Sequence, residues 1–239
     1  MNADQINEAY AAVKAARGLQ LSTRCAAHES GHALLGRALG SVIELVTIVP
    51  DDVFAGRCVR RGPPSTSLNL LNELKVREPT PAAPTTADLV ATCAHIGAPE
   101  IGTPRVDLAE EITRAQTHII ELLAGSVAEN AMFPDLPPLP AEHDRIEARA
   151  LASVVCASPA AIDALLAYCE AEAKALICAN RDVVETLTDA LVEKGTLIGE
   201  EVDAVIAACV ARRALIAEQE RRKRWKNIVA SASSFNAHA

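Results

Sequence analysis

Aromatic side chains are scarce in this chain: three Phe, two Tyr and one Trp among 239 residues, against 46 alanines. A core with so few rings must be filled by Ala, Leu, Val and Ile, which calls for closely packed helices. Paired cysteines are missing too. The seven cysteines (25, 58, 93, 156, 169, 178 and 209) are odd in number and scattered, with no Cys-x-x-Cys pair. They read as reduced thiols in a cytoplasmic type of compartment, most of them small core fillers. No apolar run approaches the roughly 18 residues of a membrane span. The opening Met1-Asn2-Ala3-Asp4-Gln5 lacks the basic-then-apolar order of a signal peptide. Cations are in the minority, 23 Lys and Arg against 31 Asp and Glu, for a net charge of −8. An acidic surface argues against general nucleic-acid binding, which needs a cationic face. The chain is half apolar and 23% charged, a composition that packs into one or two domains.

Glycine and proline punctuate the elements. Residues 4–17 read as a helix closed by Gly18, and 22–39 as a second, with Ser22 or Thr23 as N-cap and Gly40 at C′. The β-branched stretch 42–49 reads as a strand ended by Pro50, with 54–60 as its partner. Five prolines between 63 and 84 mark residues 61–104 as a loose insertion, with short helical pieces near 67–75 and 86–96. Helices follow at about 105–131, 141–156 with Pro140 at N1, 159–178 behind a Ser158 cap, and 180–194 capped by Asn180 and closed by Gly195. The last helix runs from about Gly199 to the basic run Arg221-Arg222-Lys223-Arg224-Trp225-Lys226. That run fits a helix C-terminus, where cations are favoured, better than a nucleic-acid or acidic-lipid contact. The fold class is mainly α, with a small β-sheet near residues 42–60 followed by a C-terminal helical bundle. One domain is expected over residues 1–220, and a basic segment with a disordered tail over 221–239.

The sharpest chemical signal is His28-Glu29-Ser30-Gly31-His32. Histidines at i and i+4 share one helix face and can converge on a single zinc ion. Glu29 is placed to take a proton from zinc-bound water, whose pKa the metal lowers to about 7. The pattern arises by chance in about one protein of this size in a hundred. Its surroundings, Ala26, Ala27, Ala33, Leu34 and Leu35, describe a buried apolar helix in which histidines need partners. Catalytic zinc needs a third protein ligand and an open position. His95, His118, His143, Glu121, Glu129, Glu142 and Asp144 are all candidates, and spacing alone does not choose among them.

Residues 25–50, CAAHESGHALLGRALGSVIELVTIVP, resemble the peptidase domain of the FtsH-type ATP-dependent zinc metalloproteases. Three further stretches match that family in the same order: LLAGSVAENAMF (122–133), AEHDRIEARALA (141–152) and NRDVVETLTDALVEKGTLIGEEV (180–202). The resemblance implies that Asp144 is the third metal ligand beside His28 and His32, with Glu29 as the catalytic base. Glu129 is the second choice, as ligand or as the partner that orients an imidazole. The family's AAA+ motor has no counterpart here, since no Gly-x-x-x-x-Gly-Lys-Ser/Thr loop occurs.

The implied activity is a zinc metalloendopeptidase, ATP-independent, acting on peptides or unfolded chains, with residues 42–49 as an edge strand that pairs with substrate. Implied assemblies are a homo-oligomer or an ATPase partner in trans. The competing reading is a non-catalytic binding or assembly module whose metal is structural, occluded or absent.

Overall fold

The computed structural model describes residues 3–51, 55–61, 106–139 and 141–236. The insertion beyond residue 61, with its expected helical pieces at 67–75 and 86–96, lies outside them. The fold is mainly α with a small three-stranded antiparallel sheet. Among the described residues no helix is long and apolar enough to cross a membrane.

Helix α1 spans Ala3–Ala38 without the expected break at Gly18. A glycine inside a helix costs only about 1 kcal/mol relative to alanine, which the helix-forming residues on both sides outweigh. Ser22 and Thr23 are therefore interior positions and not caps. The expected C′ glycine is in place: Gly40 has φ 96°, Ser41 N–H donates to Gly36 O at 2.8 Å and Gly40 N–H to Arg37 O at 3.2 Å. These two bonds satisfy carbonyls left open at the helix end.

Strand β1 (Val42–Thr47) buries Ile43 and Val46 while Val42 and Glu44 face solvent. It pairs antiparallel with β2 (Arg57–Arg61), with a register shift between Ile43 and Leu45. A third strand, β3 (Thr196–Ile198), pairs with the other side of β1 through Leu45, Val46 and Thr47. The order β2-β1-β3 makes β1 the central strand. The expectation that residues 42–49 form an edge strand is thus overturned. Three residues are too few to show an alternation in sequence, and only long-range pairing makes β3 a strand.

The remaining helices are α2 (Val106–Met132), α3 (Glu142–Val155), α4 (Pro159–Ala179), α5 (Arg181–Lys194) and α6 (Gly199–Asn236). Ser158 caps α4 as expected, accepting from Ala161 N–H at 3.3 Å. Helix α3 starts at Glu142 with Ala141 as its N-cap, and Pro140, the expected N1 residue, lies outside the described residues. Asn180 is the N-cap of α5 as expected, but through its backbone carbonyl, since its side-chain amide donates back to Leu176 O of α4. Gly195, at φ 75°, closes α5 as expected and turns the chain into β3. Helix α6 continues ten residues past the basic run, so the expected disordered tail is helical through Asn236.

Helix α2 is the hub, packing on α1, α3 and α4, while α5 packs on α1 and α6. A Cβ on Gly31 would lie 2.4 Å from Ala124 O and 2.6 Å from Ala128 Cβ. The axes of α1 and α2 therefore approach nearly backbone to backbone, which only small residues permit. That is the structural use of an alanine-rich, ring-poor sequence.

Candidate metal centre

The α1–α2 crossing is where the chemistry gathers. Helix α1 brings in His28, Glu29 and His32, and Asp144 arrives from the first turn of α3. The two Nε2 atoms are 3.1 Å apart. Asp144 Oδ2 lies 3.2 Å from His28 Nε2 and 3.4 Å from His32 Nε2. Ligands at about 2.0–2.1 Å from a tetrahedral zinc stand about 3.3–3.4 Å from one another. The three donor atoms thus have the mutual spacing of three corners of such a site, and they fit the ion.

Hydrogen bonding fixes what those atoms present. His32 Nδ1 donates to Glu121 O at 2.8 Å, which leaves the lone pair of the neutral ring on Nε2. Lone pairs converging on one point repel unless a cation or a proton sits among them. The charges reflect this. Burial opposes ionisation of Asp144, but the two imidazoles outweigh it and hold its carboxyl well below the usual range. Burial likewise opposes a charge on His32, and the facing Asp144 outweighs it, so that imidazole keeps a proton above the ordinary histidine range. His28 Nδ1 is buried without a hydrogen-bond partner. Its ring is oriented by Asp144 and by an edge-on contact with His32, centroids 4.8 Å apart.

Glu29 is buried beside the pair, and burial raises its carboxyl against the pull of both imidazoles. The four residues line a cleft of about 920 Å³ that the segment Ala55–Arg60 also lines. That is within the range of ligand pockets. The His28 and Asp144 side chains remain 14% and 22% exposed, so the donor set is reachable from outside.

Room for the imidazoles comes from Gly125 on α2. A Cβ there would sit 2.5 Å from both Nε2 atoms. Behind His32, the buried Glu121 carboxylate accepts from Ser41 Oγ at 2.6 Å and His118 Nδ1 at 3.1 Å, and pairs with Arg60 Nε at 3.3 Å. Burial alone would raise this acid, but its donors outweigh that and hold it low. The cluster ties β2 and the end of α1 to the residue whose carbonyl holds His32.

Among the sequence candidates, the structure brings together His28, His32 and Asp144, with Glu29 adjacent. Glu129 does not join them and orients no imidazole. Its carboxylate is taken by Arg24 and by Leu139 N–H, because it lies a full turn beyond Gly125 and faces the loop before α3. His118 serves Glu121, and His143 is exposed beside Glu147. Glu142 is exposed, and His95 lies outside the described residues. The thiols near the cleft are poor ligands, since burial pushes Cys25 to about 11 and Cys58 to about 12. Sequence reasoning missed the structural parts of Gly125 and Glu121. The signal for Glu121 is a lone carboxylate inside the apolar run Ile119-Ile120-Glu121-Leu122-Leu123, which marks a buried group in need of partners. Compared with known proteins, the chain matches no family model and no curated sequence.

Proposed function

We propose that this chain is a zinc-dependent metallopeptidase akin to the FtsH-type peptidase domain, hydrolysing peptide bonds in peptides or unfolded chains. The carrying observation is the convergence of His28 Nε2, His32 Nε2 and Asp144 Oδ2 beside Glu29 on the floor of a cleft. His28, His32 and Asp144 are the residues that would hold the metal. Zinc bound there supplies a Lewis acid that polarises a carbonyl and acidifies water. Glu29 takes the proton of the attacking water on its carboxylate and passes it to the leaving amine. Glu121, through its carbonyl, keeps His32 in the tautomer that leaves Nε2 free.

Substrate pairing moves from β1 to β2. The outer edge of β2 has no strand partner among the described residues, and β2 forms the cleft wall. An extended chain added to that edge runs beside Glu29. The six described cysteines are free thiols, which supports a reducing, cytoplasmic-type compartment. Unfolding of folded substrates would fall to an ATPase partner in trans.

The test is zinc content and casein hydrolysis of protein purified without a polyhistidine tag. Stoichiometric zinc, with hydrolysis lost to a chelator and restored by zinc, is the expected result. Protein free of zinc that also fails to take it up sinks the reading. One observation favours a second reading, a non-catalytic relative whose metal is absent: His28 Nδ1 lacks the outer partner that metal-bound imidazoles usually have. Protein that takes up no zinc and is inert on casein and unfolded peptides would select it.

A further inference from the structure

Arg221, Arg222, Lys223, Arg224 and Lys226 surround Trp225 within two turns of α6. At a helix C-terminus such a run is explained by the macrodipole, whose effect is confined to the last turn. Here the helix continues to Asn236, so the cations sit in its interior and need another explanation. From Ala214 onward the helix leaves the body: the side chains described there are exposed, apart from a half-buried Glu218. Residues 214–236 amount to about 35 Å of helix at 1.5 Å per residue.

The exposed stretch carries an apolar stripe that Arg221 and Arg222, at i−4 and i−3 of Trp225, extend toward the body. Trp225, Ile228 and Val229, at 64%, 59% and 47% exposure, follow the i, i+3, i+4 spacing of one stripe. Arg224 and Lys226, the neighbours of Trp225, flank that stripe about 100° round the helix on either side. Arg221 and Arg222 are paired with Glu218, and Lys223 with Glu220. Among the described residues no acid pairs with Arg224 or Lys226. The cations stand on a chain whose net charge is −8, so they complement an anionic surface that the rest of the molecule repels.

We infer that the α6 segment 221–229 is a docking surface for an anionic lipid bilayer, lying flat in the interface with Trp225, Ile228 and Val229 in the acyl boundary and the cations on the headgroups. Apolar side chains beside cations suit an interface of this kind. A nucleic-acid backbone has no use for Ile228 and Val229. The helix lies on the membrane and does not cross it. The inference is independent of the metal centre.

The test is flotation of the full chain with vesicles of phosphatidylcholine alone and of an equal mixture with phosphatidylglycerol. Trp225 is the sole tryptophan, so its emission reports the segment directly. Binding to the anionic vesicles alone, weakened by salt and accompanied by a blue shift of Trp225 emission, is the expected result. Arg224→Ala with Lys226→Ala should weaken binding about thirtyfold, at about 1 kcal/mol per cation, with the melting temperature unchanged. Three results would each overturn the inference: no flotation with anionic vesicles at low salt, flotation without a Trp225 shift, or equal binding by the double variant. So would uptake of an oligonucleotide, or self-association through this segment, by protein that ignores the vesicles.

Discussion

Helices α1 and α6 are nearly equal in length, 36 and 38 residues, and both are rich in alanine, yet the fold uses them in opposite ways. Between Cys25 and Gly36 every position of α1 except His28 is buried, and His28 is half-buried. Its small side chains admit α2 so closely that Gly31 meets the Ala124 carbonyl. Beyond Arg213, α6 carries its charges between Glu218 and Lys226, and the described side chains there are exposed apart from Glu218. It is held instead by pairs within its own surface, Glu218 with Arg221 and Arg222, and Glu220 with Lys223. A helix enclosed by others can hold side chains to tenths of an ångström, which a donor set requires. A helix stabilised by its own pairs can only present a surface.

The sharpest break in that comparison is chemical. Glu29→Gln, at the enclosed end of α1, should cut peptide hydrolysis by about 10²–10⁴-fold, the range for loss of a general base, while zinc content is retained. Equal activity would place the hydrolysis elsewhere. Leu35→Ala, at a fully buried position, should cost about 2–5 kcal/mol of stability, read by urea denaturation. Gly125→Ala puts a methyl group against both imidazoles. It should weaken zinc binding by about 10- to 100-fold, as changes next to metal ligands commonly do, with circular dichroism confirming the helices.

Glu121 supplies a smaller and pH-dependent effect. Its folded carboxyl lies below its ordinary value of 4.5, so the folded state binds that proton less readily than the unfolded chain. Its contribution is therefore complete above the unfolded value and lost as pH falls through the lowered folded one. Melting temperatures taken downward from about pH 7 to about pH 3 should decline more steeply for the wild type than for Glu121→Gln. A parallel decline would show that the carboxylate contributes nothing. The smallest effect belongs to α6: Leu215→Ala, at a position 59% exposed, should change stability by no more than about 0.5 kcal/mol. A loss as large as that of Leu35→Ala would mean that the end of α6 is packed after all.

Much of the fold was legible because its signals are local. Gly40, Ser158 and Gly195 stop or start helices through their own backbone preferences, and all three do so at the expected places. The errors fall where a local signal met a longer-range one. Gly18 is a weak breaker inside a strong helix, and β3 is a strand only because β1 lies beside it. For the site, the i, i+4 histidines and the adjacent glutamate needed no tertiary information. Asp144 came from resemblance alone, since 112 residues separate it from His32.

The sequence by itself determined the helical class, the shared face of His28 and His32, and the small residues that let helices touch, because each follows from backbone periodicity and side-chain size. Only the tertiary structure decided which carboxylate meets the imidazoles, which strand is central and which end of a long helix is left in solvent. Those outcomes depend on contacts between residues far apart in the chain, and no local preference encodes them.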